Sequence, residues 1–385
     1  MALTLPTDAG DLVQYTPRPT APRSAKGAPP SSRVLYAAAH VVADPLADNT
    51  PGVPARPDWG ATMAFRHHLW EHGVGVADAM DTAQRGMGLD WPTAAELIRR
   101  SGAEARSVGG ALGVGVGTDQ LGPGDHGIPE IIAAYEEQAE VAVAAGATVI
   151  LMASRALASA ATGPEDYQRV YDHLLGQLPE PAILHWLGPM FDPQLLGYWG
   201  SRDLDTATDT FTSIIEANSA KVDGIKVSLL DADREVALRR RLPTGVRCYT
   251  GDDFHYPELI RGDDRGYSHA LLGIFDAIAP AAVAAVRALD SGDEETFDRL
   301  LDPTVPLSRH IFQTPTYYYK TGIVFLAWLS GHQDHFRMVG GLESARSVPH
   351  LARLFVLADE AGLLPDPDLA ERRMRLFLEL SGVAQ

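Results

Sequence analysis

One cysteine in 385 residues leaves nothing for an internal disulfide or a cysteine-rich zinc cluster. A lone thiol, Cys248, fits a reducing compartment. Basic charge is also scarce: 32 Lys and Arg stand against 50 Asp and Glu, a formal net charge of −18. Such a surface repels phosphate backbones and anionic headgroups, so neither nucleic acid nor a membrane is an expected partner. Long apolar runs are missing too. The longest, residues 322–329, falls far short of the roughly 18–20 residues that span a bilayer. Residues 1–12 offer neither the basic nor the continuously apolar stretch of a secretory signal. The sequence reads as a soluble, acidic, cytoplasmic chain, and 45% hydrophobic residues suffice for a sizeable core.

What is present is an alternation of short apolar runs and helical-period stretches. The runs fall at 33–42, 74–80, 112–118, 148–154, 181–187, 223–229, 246–251 and 267–272. Helical stretches lie between them, at 91–106, 128–146, 164–178 and 205–220. In 128–146, Ile131, Ala134, Tyr135, Ala139 and Ala142 recur near helical spacing, with Glu136, Glu137 and Glu140 opposite and Gly146 as a stop. Strands apolar along their length and alternating with helices predict a parallel sheet covered on its outer side. Eight units are the number that closes an α/β fold into a (β/α)8 TIM barrel. An open doubly wound sheet competes, but it would prefer a glycine-rich phosphate loop after its first strand. The glycine-rich stretch 110–119 is instead read as the third strand. The expected organisation is an extended, loop-like segment over 1–32, the barrel over 33–300, and a helical region over 301–385. The amphipathic 345–382 stretch would pack on the barrel or on a second subunit.

The chain has four lysines: Lys26, Lys221, Lys226 and Lys320. Three are read as solvent or loop residues. Lys226 lies inside the apolar run DGIKVSL, on the sixth predicted strand. Alternation puts Gly224, Lys226 and Ser228 on one face and Ile225, Val227 and Leu229 on the other. The apolar set should face the helices, which turns Lys226 into the barrel. Burial penalises an ammonium, so a neutral, nucleophilic amine results and can attack a ketone or aldehyde to form an imine. The competing reading is a lysine locked to a carboxylate such as Asp253.

GIK-x-S at 224–228, TGDD at 250–253 and GYS at 266–268 together resemble the dihydrodipicolinate synthase / N-acetylneuraminate lyase superfamily, over residues 33–300. The resemblance implies a class I aldolase-type mechanism on Lys226, with Ser228, Gly251, Asp253 and Ser268 as substrate-binding positions. It also implies no cofactor and a homo-oligomer, dimer or tetramer. Two departures stand out. Where the family has a Tyr-Asn-x-Pro element, this chain has ILHWLGP, with His185 at the tyrosine position; histidine exchanges protons near neutral pH and could replace the phenol. It could equally be a hydrogen-bonded core residue. Where the family has a carboxylate-binding Gly-Thr-Thr-Gly-Glu loop, this chain has AMDTAQRG at 79–86, keeping only Thr82. Asp81 brings a negative charge there. Either Arg85 compensates or the substrate lacks the carboxylate, which admits a keto-sugar derivative.

The sequence therefore predicts a Schiff-base lyase acting on a small keto acid or keto-sugar derivative. Lys226, His185 and Thr82 are catalytic, and Asp81, Arg85, Ser228, Gly251, Asp253, His255 and Ser268 bind substrate. Two alternatives remain open. One is a metal-dependent barrel lyase or isomerase using strand-end His and Asp groups, His255 among them. The other is a non-catalytic barrel that binds a keto compound. His67, His68 and His72 are read as an ordinary helix end, Cys248 as a buried apolar residue, and the TYYYK cluster at 316–320 as packing.

Overall fold

The computed structural model describes residues 2–18 and 26–385. An antiparallel hairpin of β1 (Leu3–Pro6) and β2 (Leu12–Tyr15) opens the chain. Eight parallel strands then close into a barrel: β3 (Leu35–Ala38), β4 (Gly75–Asp78), β5 (Leu112–Val116), β6 (Thr148–Leu151), β7 (Ala182–Leu187), β8 (Val222–Ser228), β9 (Arg247–Thr250) and β10 (His269–Leu272). Each predicted run holds one of them. This is the TIM barrel, with further helices from Glu294 to the carboxyl end.

Strand alternation sorts the core into two layers. Val76, Val114, Leu151, Leu184, Ile225, Val227 and Leu272 point outward and join the large cluster beneath the helices. Tyr36, Ala77, Ile150, Ile183, Tyr249 and Leu271 form a separate, smaller cluster inside the barrel. The two tyrosines take so much of that interior that small neighbours are needed. A Cβ on Gly224 would fall 2.7 Å from the Tyr249 ring, so this inward position of β8 accepts no side chain. The wrapping helices start where capping chemistry puts them. Asp90 accepts from the Thr93 amide with Pro92 in the first turn of Trp91–Val108, and Gly109, at φ +66°, ends that helix.

The loop-like reading of the amino terminus is corrected by the β1–β2 hairpin. Leu3 and Leu5 are buried, and the Tyr15 hydroxyl donates to Asp359 Oδ2 at 2.5 Å. Apolar alternation over four residues is too short to stand out beside the proline-rich stretch that follows. Part of that stretch, 19–25, lies outside the described residues. After β10 the chain forms the helices Phe275–Asp290 and Glu294–Leu301, separated at Gly292 (φ +78°). Among the described residues, no helix is long and apolar enough to cross a membrane.

Candidate active site

Lys226 is the fifth residue of β8 and points into the barrel, as alternation predicts. It is 4% exposed. Its register partners are His185 on β7 and Tyr249 on β9. Among the described residues its ammonium makes no hydrogen bond and no ion pair. Burial drives its pKa below the ordinary lysine value, while Asp81 and Asp253 pull the other way. Gly251 packs against this side chain: a Cβ there would fall 3.0 Å from Lys226 Cε and collide with Ser228 Oγ. Glycine at 251 is what lets the lysine stem and the serine lie side by side.

His185 is 1% exposed, with Nε2 3.1 Å from Ser228 Oγ and Nδ1 buried without a partner. Burial, reinforced by the nearby Lys226 charge, pushes its pKa well below the ordinary histidine value. The ring therefore stands neutral, which corrects the expectation of proton exchange near neutral pH. Asp253 is equally enclosed. Its Oδ1 accepts from the Ile274 amide at 2.8 Å, and burial raises its pKa, so its negative charge is weakened where it would otherwise hold Lys226 as an ammonium.

Above this group opens a cavity of about 640 Å³, lined in part by His185, Asp81, Arg85, Phe191, Arg155 and Lys320. Lys226 is not on its surface. Two of its lining residues adjoin the lysine: His185 is its register partner on β7, and Asp81 acts on its charge. Residues Asp81–Ala83 form a single 3-10 turn after β4, and Thr82 is fully buried. The Thr82 and Tyr319 hydroxyls are 2.6 Å apart, and Tyr319 donates to Asp81 Oδ2 at 3.0 Å. With Thr82 as donor, three residues form one directed chain, Thr82 to Tyr319 to Asp81.

The remaining sequence-derived positions divide. Arg85 lines the cavity, but its donors are spent on Asp119, Gln138 and the carbonyls of Ala79 and Gly115. It compensates Asp119 rather than Asp81. His255 is corrected: its Nδ1 lies 2.9 Å from Asp252 Oδ2, it caps the helix Tyr256–Arg261, and it is not among the cavity's lining residues. Ser268 is corrected as well. It precedes β10, at that strand's amino end, and its hydroxyl donates to Glu235 Oε1 at 2.7 Å and accepts from Arg239. The eighth-strand motif is therefore a wall contact. Among the described residues no three His, Cys, Asp or Glu side chains converge to hold a metal ion.

Two residues of the TYYYK cluster, read from sequence as packing, belong to this region. Tyr319 and Lys320 stand at the start of the helix Tyr319–Leu329, both nearly fully buried. Lys320 is thus not the solvent or loop residue expected of it. A lysine followed by the apolar run TGIVFLAWL carried the same signal as Lys226, and it went unused because the run reads as a packing helix.

The (β/α)8 barrel is shared with solved structures of the dihydrodipicolinate synthase family. YagE, a prophage protein of the dihydrodipicolinic acid synthase family from E. coli K12 solved in complex with pyruvate, matches with a TM-score of 0.65 and 14% identity over 86% of this chain and 99% of that one. Dihydrodipicolinate synthase from Aquifex aeolicus gives 0.65 and 13%, over 86% and 99%. The enzyme from Bacteroides thetaiotaomicron gives 0.61 and 19%, over 80% and 92%. No curated protein matches the sequence. The chain belongs to the family described as "Protein of unknown function (DUF993)", which it matches over residues 3–383.

Proposed function

We propose that this protein is a Schiff-base-forming lyase, of class I aldolase or dehydratase type, that acts on a keto acid or keto-sugar derivative through Lys226. One observation carries the reading. A buried amine, free of any ion pair, is the strand neighbour of His185, which lines a cavity large enough for a small metabolite.

The neutral Nζ of Lys226 adds to the substrate carbonyl carbon, and the carbonyl oxygen takes up a proton and leaves as water. For cleavage, the iminium accepts the electron pair of the Cα–Cβ bond while the β-hydroxyl gives up its proton and that carbon leaves as a carbonyl compound; the enamine is then protonated. For dehydration, the iminium accepts the pair of an α C–H bond, and the enamine expels the β-hydroxyl, which takes up a proton and leaves as water. In both, addition of water to the remaining iminium releases product and restores the amine. The protons have a route through Thr82 and Tyr319. Burial and Asp81 hold the Tyr319 phenol well above its ordinary value, so it remains a donor throughout. His185, being neutral, orients Ser228 and offers an acceptor beside the amine. In this reading the partner is a small carbonyl compound, and the protein works in the cytoplasm as a homo-oligomer.

Borohydride reduction with a keto substrate, followed by peptide mapping, should label Lys226. Labelling elsewhere, or none, ends the proposal. The rate should climb with pH as the ammonium is lost, with its midpoint below the ordinary lysine value of 10.5. A midpoint at or above that value would mean that Asp81 and Asp253 outweigh desolvation.

A further inference from the structure

Two cations share one wall of the cavity, and the imine chemistry uses neither. They touch consecutive residues of the segment that follows Thr82. Lys320 Nζ lies 3.4 Å from Met87 Sδ and donates to the Tyr317 carbonyl at 3.2 Å. A Cβ on Gly86 would sit 3.9 Å from both terminal nitrogens of Arg155. Lys320 is 3% exposed, yet among the described residues no carboxylate comes within 4.0 Å of its ammonium. A thioether is a weak acceptor, so this buried charge is poorly compensated. Arg155 gives Nε to Asp192 at 2.5 Å, and its terminal nitrogens bond to nothing among the described residues. Burial lowers the Lys320 pKa while Asp81 and Asp192 raise it, so an anion seated between Lys320 and the terminal nitrogens of Arg155 would hold the amine in its cationic form. Arg85, on the same cavity, shows the contrast, because Asp119 and Gln138 consume its donors.

We infer that Lys320 and Arg155 form an anion subsite, and that the carbonyl compound attacked by Lys226 carries an acidic group, carboxylate or phosphate, besides its carbonyl. The second half rests on the imine reading; the subsite itself stands on Lys320 and Arg155 alone. The 79–86 loop, which carries Asp81 where the resemblance led to a carboxylate dock, then needs no such role. The helical region supplies the cation instead.

The test labels Lys226 by borohydride with three ketones: dihydroxyacetone, dihydroxyacetone phosphate and pyruvate. One acidic ketone should reach half-maximal labelling at a concentration lower than dihydroxyacetone by about tenfold or more, as expected for a charged hydrogen bond. Which one does so distinguishes phosphate from carboxylate. Lys320→Met should collapse that preference and Lys320→Arg should keep part of it. Arg155→Gln, at a half-exposed side chain, should reduce it about threefold. Equal half-maximal concentrations in the unaltered protein, or a preference that survives Lys320→Met, would overturn the inference while leaving the imine intact. Calorimetry with inorganic phosphate and with acetate provides a readout free of Lys226. Binding by the unaltered protein that is lost in Lys320→Met upholds the subsite even where no ketone labels Lys226, in which case only the imine reading falls. Absence of binding together with absence of preference overturns the subsite.

Discussion

Two buried cations of this barrel are held in opposite ways. Arg66, fully buried, gives Nε and Nη2 to the two oxygens of Asp78 at 3.1 and 2.7 Å, and Nη1 to the carbonyls of His40 and Thr62. Asp78 also accepts from the Ser101 hydroxyl and the Ala79 amide. Lys226 has Asp81 and Asp253 in its electrostatic field but bonds to neither. Both cations carry the penalty of leaving water. In the first, planar bidentate geometry offsets it; in the second the fields of Asp81 and Asp253 offset only part of it, and the group is biased toward losing its proton. Burial alone therefore does not mark a functional lysine. Burial without a partner does.

The largest effects test this contrast directly. Arg66→Met strands Asp78 and should destabilise the fold by about 3–5 kcal/mol in urea unfolding. Lys226→Met removes an uncompensated charge, so its unfolding midpoint should match or exceed that of the unaltered protein while borohydride labelling disappears. If the two variants lose similar stability, Lys226 is a second structural cation and the comparison breaks.

Next in size is the route for protons. Tyr319→Phe removes the hydroxyl that joins Thr82 to Asp81, and turnover should fall about a hundredfold, within the range for general acid–base groups. Labelling of Lys226 should persist, because the amine is untouched. Parallel loss of labelling and unfolding resistance would assign Tyr319 to packing, beside Phe312 on which it stacks.

Legibility of the molecule followed the range of the forces involved. Strand alternation and helix period are local, so all eight barrel strands and the inward direction of Lys226 could be read from single segments. Residues brought together by closure could not. Tyr319 lies 237 residues from its partner Thr82, and no local pattern announces that contact. Ser268 and His255 failed for a different reason. A motif gives order along the chain but not height along the barrel, and these two side chains are satisfied locally by Glu235 and Asp252 before they reach the cavity. Arg85 failed similarly, since a sequence does not show that Asp119 will take its charge.

Glu235 offers the smallest and most discriminating test of what a partly satisfied buried group does in this fold. It lies on the helix Ala232–Arg239, 1% exposed, with Oε1 bonded to Ser268 and Oε2 without a partner. Burial, opposed chiefly by hydrogen bonds from Ser268 and Thr250, raises its pKa from 4.5 to about 8. The folded state thus favours the protonated acid. Its contribution to stability is complete below about pH 4.5 and is lost as pH rises through about 8. Between pH 6 and pH 7.5 that loss should be roughly 2 kcal/mol, read from urea midpoints. Glu235→Gln keeps the shape and removes the titration, so it should flatten the profile over this window and be the more stable form at pH 8. Labelling at Lys226 should keep its own rise with pH, because that rise belongs to the amine beside His185 and not to the barrel wall. If Glu235→Gln alters both profiles together, the wall and the site are coupled, and the separation between structural and functional buried charge would have to be redrawn around Ser268 and β9.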